Sequence, residues 1–390
     1  MREDTALEIM KRHYRDRYKA AKEWKAKGGK VVGCVYTSVP EELIIAAGCM
    51  PVMIAGDPEI PTDAGDKYME DYFCPFVRSV HDLLVRGEYE WLDLAIFPHG
   101  NDSIKRCYFY LWTEKMYDPG LKLPPLAMFD ILHTRKHIAN RYVRGRMEAL
   151  KEKLEEFSGN RITEESLAHA VELMNEKRRL LKKVAELRRA DPPRVSGVDA
   201  LQIIGSSFFM PKEEHNALLR RFLKEAKDLP PRQGVRLYVS GTIMDNTQLY
   251  ELLESCGATV VAEDVCTGNR YAENLVDTKL EPLDALTDRY HSRSLEGRMY
   301  PLPVLVDYVT ETAREARAEG AVFNYLRWDD SHGWNFPSQR DALKGIGIPS
   351  LALEMQEYKL SGTEQIRTRA QAFIEMINEN RRDCQSDTAS

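Results

Sequence analysis

Short apolar runs alternate along the chain with longer amphipathic stretches of helical period. The first 29 residues read as an amphipathic helix closed by Gly28-Gly29. Val31 to Tyr36, rich in β-branched residues and bounded by turns, predicts a buried strand. Ser38-Val39-Pro40-Glu41-Glu42 then opens a helix, with Ser38 as a candidate N-cap and two acids at the positive end. A strand at Pro51–Ala55 follows, then a helix over Tyr68–Val85 that Pro75 restarts, a strand at Leu92–Phe97, a helix from Ser103 and a strand at Leu126–Phe129. After a different middle section the rhythm returns. Strands are predicted at Val235–Ser240, Thr259–Glu263, Ala321–Leu326 and Ser350–Leu353, and helices at Asn246–Ser255, Pro303–Ala318, Gln339–Lys344 and from Thr363. The strands are continuously apolar rather than alternating, as strands covered on both faces are. The fold class is therefore α/β, with two doubly wound parallel-sheet lobes.

The middle section, about residues 134–189, is long, charged and helical, and breaks only at Ser158-Gly159-Asn160: a helical hairpin. Ala190 to Gly197, with two consecutive prolines, is the linker. The organisation expected is an N-terminal helix (1–29), a first α/β lobe with the hairpin (30–190), a second α/β lobe (198–380) and a polar tail (381–390).

With 390 residues, two cores are expected rather than one. A charge of −6 with no basic block argues against nucleic acid as a partner, and no apolar stretch reaches the length of a membrane span. The N-terminus is charged throughout and has no signal-peptide core. Seven cysteines, an odd number without CxxC spacing, exclude a local zinc ribbon or ferredoxin motif and favour a cytoplasmic location. A Walker loop, a Gly-x-Gly-x-x-Gly turn and a Gly-x-Ser-x-Gly elbow are absent from the sequence.

Doubly wound sheets bind ligands beyond the carboxyl ends of their strands. The loops to search are Thr37–Glu42, Pro98–Asp102, Gly241–Asn246, Glu263–Gly268 and Arg327–Trp334. Each has a plainer reading: Ser38 as a helix cap with dipole-complementing acids, Asp102 and Asp245 as caps, His99 and His332 as solvated loop residues. Cys49, Cys107 and Cys256 read as small core residues, and Cys384 as part of the tail.

Taken together, several of these segments resemble the large subunits of the 2-hydroxyacyl-CoA dehydratase and benzoyl-CoA reductase family. They are Val32 to Gly48, Phe73-Cys-Pro-Phe-Val-Arg-Ser79, Phe97-Pro-His-Gly-Asn-Asp-Ser-Ile-Lys-Arg106, Tyr238 to Thr242, Val260 to Arg270, Leu353 to Met355 and Gln365 to Arg369, in family order across nearly the whole chain. The resemblance implies two doubly wound lobes, a homologous second large subunit as partner, and a [4Fe-4S] cluster held between the lobes by cysteines of separate loops. It also implies a separate ATP-hydrolysing activator that delivers a low-potential electron, and an acyl-CoA substrate that is dehydrated or ring-reduced through a ketyl radical. The run Asp102 to Arg106 looks more like the benzoyl-CoA reductase side, which implies an aroyl-CoA.

Of the three cysteine positions that the family pattern implies, only Cys74 is kept; Asn101 and Asp329 stand at the others. Three readings stay open: a cluster held by Cys74 with Cys34 and Cys266; a cluster-poor partner of a catalytic paralogue; and a diverged member without radical chemistry. At Cys74 a helix N-terminus is expected to lower the thiol pKa. Ser38, Glu41 and Glu42 are candidates for the thioester carbonyl or for proton transfer, with one of the two acids facing the crevice. His99, Asn101, Asp329 and His332 are candidates on the opposite wall. Arg78, Lys105, Arg106 and Arg270 are possible CoA contacts, with surface charge the plainer role.

Overall fold

The structure, a computed structural model, describes residues 4–388, with side chains through Asp383; Cys384 and the end of the expected tail lie outside the described side chains. It contains two four-stranded, wholly parallel sheets. The first holds β1 (Val31–Cys34), β2 (Met50–Met53), β3 (Leu94–Pro98) and β4 (Leu126–Phe129), in the order β2-β1-β3-β4. The second holds β5 (Val235–Gly241), β6 (Ala258–Asp264), β7 (Gly320–Leu326) and β8 (Ser350–Gln356), in the order β6-β5-β7-β8. All but β4 and β8 are buried at every position, which is why their runs are unbroken in the sequence.

In both sheets the winding reverses beside the first strand, between β1 and β3 and between β5 and β7. The loops leaving these strands splay apart and open a crevice at the carboxyl ends. Gly241 closes the approach in the second sheet. It has φ +151°, and a Cβ there would lie 1.9 Å from the Asn324 carbonyl oxygen of β7, so only glycine fits.

The N-terminal stretch is two helices, Ala6–Arg15 and Lys19–Ala26, and the first packs on the second-lobe helices Gly197–Ser206 and Lys212–Glu225. The hairpin is His137–Ser158 and Glu164–Arg189. Its second arm touches both lobes, packing on the Glu41–Ala46 helix and on β6. Lys177, Arg178 and Arg188 of this arm are fully buried and pair with Glu41, Glu42 and Glu263. One helix thereby cross-braces the two lobes with buried ion pairs. No helix among the described residues is long and apolar enough to cross a membrane.

Local corrections bear on the site. The cap of the Glu41–Ala46 helix is Pro40, not Ser38. The segment from Tyr68 becomes helical only at Pro75, whose missing N–H costs nothing at a first turn. The loop after β7 is short: a helix runs Asp330–Gly345 with Pro337 inside it, so His332 is helical. The last helix extends from Thr363 to Thr388.

Candidate functional site

Two clusters occupy the crevice. In the first, Ser38 faces the second lobe, in a cavity of about 40 Å³ lined also by Thr37, Cys266, Arg270, Tyr271 and Glu296. Ser38 is 4% exposed and its Oγ has no partner in the protein. Arg270 comes from the turn after β6 and is buried, not a surface charge. Its Nε lies 2.9 Å from Asp264 Oδ1, its Nη1 donates to the Leu295 carbonyl at 2.6 Å, and its Nη2 is buried without a partner. Two buried donors of residues lining this cavity thus lack a protein partner.

Behind Ser38, both acids of its loop are buried, and neither is free. Glu41 accepts from the Tyr271 hydroxyl and lies 2.7 Å from Lys212 Nζ and 3.5 Å from Lys177 Nζ. Burial would raise this carboxyl, but Lys177 and Lys212 hold it down at about 2. Glu42 pairs with Arg178 at 2.5 Å and accepts from Tyr290 at 2.8 Å. Burial opposes ionisation here too, and Arg178 and Arg289 keep the carboxyl below its ordinary value. Both are fixed anions with no proton to give at neutral pH. The expectation that one of them faces the crevice as a proton donor is corrected, because Lys177 and Arg178 of the hairpin arm, with Lys212, claim both.

The second cluster gathers Cys74, Asn101, Asp102, His99, Asp329 and His332. Asn101 caps the helix Asp102–Tyr117, its side-chain oxygen accepting from the Ile104 amide at 2.8 Å. Asp329 accepts at 3.0 Å from both Ser331 Oγ and His332 Nδ1. Burial would raise its carboxyl, but His332, Ser331 and Arg298 outweigh this and hold it low. His332 Nε2 is buried and unpartnered, turned toward Gly297, where a Cβ would lie 2.7 Å from it. His99 Nδ1 is 2.8 Å from Asp130, and His133 donates to the His99 carbonyl at 2.9 Å. Arg298 donates to Asp102 at 3.0 Å, and its charge also acts on Cys74 and Asp329.

Cys74 is the residue before the first turn of Pro75–Val85, but its thiol is pushed up to about 12. Burial is the main cause and Asp329 adds to it; the Val77 and Phe76 amides only partly oppose. The expected helix-terminus lowering is therefore overturned by desolvation. Cys266 is likewise pushed up to about 12, by burial and then Glu296. Cys34 packs among Val32, Leu43, Ile44 and Ile96, and burial raises its thiol as well. Asp245 is not a helix cap but accepts from Tyr358 and pairs with Arg17 at 3.3 Å. Arg78 pairs with Asp66.

Residues 34–377 match the family described as 2-hydroxyglutaryl-CoA dehydratase, D-component. The chain belongs to this family. It is 26% identical over 361 residues to the (R)-phenyllactyl-CoA dehydratase beta subunit of Clostridium sporogenes, covering 91% of this chain and 94% of that one. It is 27% identical over 372 residues to a subunit of the benzoyl-CoA reductase of Thauera aromatica, covering 92% and 94%. With the beta subunit of the (R)-2-hydroxyglutaryl-CoA dehydratase of Acidaminococcus fermentans it shares 22% over 362 residues, covering 91% and 94%. Family members are acyl-CoA dehydratase or reductase subunits, and this chain aligns with them almost end to end.

Against the iron–sulfur cluster implied for this dehydratase and reductase family, the donor set of this chain does not fit. Among the described residues no group of three or more His, Cys, Asp or Glu side chains is placed to hold a metal ion. Cys34, Cys74 and Cys266 therefore do not form the ligand set considered for them. Asn101 spends its oxygen on a helix cap and Asp329 on His332, while the guanidinium of Arg298 acts on the same corner. Soft thiolates suit such clusters; a capping amide and a carboxylate already in use do not, which leaves Cys74 as the one thiol at the three positions. Sequence reasoning missed Arg298, Lys177, Lys212 and Arg178. Arg298 arrives from a segment with no motif, and the hairpin cations sit in a stretch whose charge density looks like an exposed surface.

Proposed function

We propose that this chain is the cluster-free subunit of an acyl-CoA dehydratase or reductase, paired with a homologous second large subunit that carries the redox centre. A separate ATP-hydrolysing activator would charge that partner and not this chain. The observation that carries the reading is the corner of Cys74, Asn101, Asp329 and Arg298, where hydrogen bonds and a cation take the place of thiolate donors. The substrate class that the reading assigns is an aryl-bearing acyl-CoA: the relatives include proteins named for phenyllactyl-CoA and benzoyl-CoA. Ring reduction of an aroyl-CoA is the first form of the reaction. Dehydration of a 2-hydroxyacyl-CoA is the second, favoured by the relatives named dehydratases.

In this reading Ser38 and Arg270 offer their unpartnered donors to the thioester carbonyl, and Glu41 and Glu42 hold the surrounding loops in place. Both acids stay ionised, so the negative charge that develops on a carbonyl oxygen is met by Ser38 and Arg270 rather than by a carboxylic acid.

The test is iron and acid-labile sulfide on anaerobically purified protein, alone and co-expressed with a paralogous subunit. The isolated chain is expected to hold neither, with iron appearing only in the pair. About four of each on the isolated chain, as a [4Fe-4S] centre requires, would overturn the reading.

A second expectation concerns Ser38→Ala in that pair. The hydroxyl has no protein partner, so melting should not change, while thioester binding should weaken by roughly fivefold, the worth of one neutral hydrogen bond. Unchanged binding would remove Ser38 from the site.

A further inference from the structure

The walls of the Ser38 cavity are of two kinds. Tyr271 and Tyr290 are buried and bonded into the pairs of Glu41 and Glu42, so they belong to the packing that the hairpin arm braces. Leu295 and Glu296 are half-buried and come from Ser294–Met299, a stretch with neither helix nor strand.

This stretch runs from one cluster of the crevice to the other. Ser294, Leu295 and Glu296 line the Ser38 cavity, Gly297 lies against His332, and Arg298 reaches Asp102. Both lobes hold it, and they do so with side chains rather than a backbone ladder. Arg270 donates to the Leu295 carbonyl at 2.6 Å and Asn335, on the helix Asp330–Gly345, to the Gly297 carbonyl at 2.7 Å. From the first lobe, Arg135 donates to the Ser294 carbonyl, and Asp102 accepts from Arg298 at 3.0 Å. The stretch ends where the Tyr300 amide donates to the His133 carbonyl at 2.9 Å. Gly297 carries no side chain where a Cβ would lie 2.7 Å from His332 Nε2, and that lets the backbone lie close over the ring.

Size decides what this arrangement admits. The cavity beneath is about 40 Å³. One water takes about 30 Å³ of the liquid, whereas sites for small molecules run to roughly 300–1,000 Å³. With Leu295 and Glu296 in place the cavity takes water and no organic ligand.

We propose that Ser294–Met299 is a strap that closes the crevice over Ser38 and lifts to admit the ligand. What it admits rests on the thioester reading of the Ser38 cavity given above; the motion does not. Lifting breaks the bonds of Arg298, Asn335 and Arg270. Asp102 is largely exposed, so water replaces its bond to Arg298. Arg270 is buried, and its guanidinium loses the Leu295 carbonyl, which an acceptor oxygen of the incoming ligand replaces. Ligand and strap thus compete for one donor, and the ligand favours the open form by that difference in affinity.

Cys266 reads the motion, because it lines the same cavity and is 1% exposed. The full chain is treated with iodoacetamide in increasing urea below the unfolding transition, and alkylation of each cysteine is followed by peptide mass spectrometry. Cys34, packed in the core of the first lobe, is the reference that only unfolding exposes. Cys266 is expected to react faster than Cys34 and at a rate nearly independent of urea, since lifting a strap exposes little surface. Asn335→Ala should raise the Cys266 rate by roughly fivefold, the ratio carried by one neutral hydrogen bond. Arg298→Ala should raise it by roughly two- to fivefold, as for an exposed ion pair.

A Cys266 rate no faster than that of Cys34, or one that climbs as steeply with urea, would show exposure by unfolding alone and would overturn the proposal on the wild-type chain. A fast, urea-independent rate indifferent to both variants would place the opening at another wall and would also overturn it. Thioester binding that ignores Ser38→Ala would remove the ligand reading and leave the labelling result standing, so the two failures are told apart.

Discussion

Replacing Arg178 with methionine should lower the stability of the chain by about 3–5 kcal/mol, the cost of stripping one partner from a buried ion pair. Arg178 and Glu42 are both inaccessible to solvent, 2.5 Å apart, one on the hairpin arm and the other on the first-lobe helix Glu41–Ala46. Arg178 also donates to Asn175 Oδ1 at 3.1 Å, and Asn175 in turn bonds the backbone of Val276 in both directions, at 2.9 Å each. The loss is therefore more than a Coulomb term: the Glu42 carboxylate is left with the Tyr290 hydroxyl, its own backbone amide and Arg289, and Asn175 loses one of its partners. The check is the urea midpoint of the single variant against that of Arg178→Met with Glu42→Gln. The double variant leaves no bare charge and should recover part of the loss, because an apolar or neutral pair of similar volume often replaces a buried salt bridge at little cost. A single variant as stable as wild type would mean that the hairpin does not brace the lobes through this pair.

The architecture was legible because a parallel sheet covered on both faces leaves unbroken apolar runs, and the turns after such runs are the strand ends that form the crevice. Ser38, His99 and His332 were picked out as candidates by that rule, and Asn101 and Asp329 by the family resemblance as well. What the rule does not carry is the direction and state of a side chain. Ser38 looked like a cap because serine before two acids usually is one; Pro40 takes that position and frees the hydroxyl. Glu41 and Glu42 looked like groups near the substrate, and only the packing of two helices more than a hundred residues away converts them into fixed anions. Arg327 to Trp334 read as a loop, with the helix starting only at Gln339, and this hid the helix that begins at Asp330 and holds His332 against Asp329. Cys74 was legible as a position but not as a state, since the helix terminus that should lower its pKa is outweighed by burial and a neighbouring carboxylate.

Acidification should unfold this protein in two overlapping stages, both centred where the hairpin arm meets the helix Lys212–Glu225. His215 is fully buried there, its Nε2 3.0 Å from the Ile203 carbonyl, and burial holds it down to about 3, with Lys177 and Lys212 adding to the effect. Its folded pKa lies below the unfolded value of 6.5, so the unfolded chain binds this proton first. Stability is then complete above about 6.5 and drains away as the pH falls toward 3, reaching a loss on the order of 3 kcal/mol by about pH 4 from this group alone. Glu41 contributes the same sign over a lower window. Its carboxyl is held down at about 2 against an ordinary 4.5, so its share is present above 4.5 and is lost between there and 2. His133, lowered to about 4 by burial, adds to the upper stage. The measurement is the urea midpoint at pH steps from 7.5 to 4, for wild type and for His215→Leu. The variant should begin less stable, having lost its bond to Ile203, but its midpoint should fall distinctly less between pH 6.5 and 4.5, where His133, His13 and His291, all lowered by burial, are left to titrate. A slope identical to that of wild type would show that His215 takes up its proton in the folded state, and that the lysines around Glu41 do not exclude it.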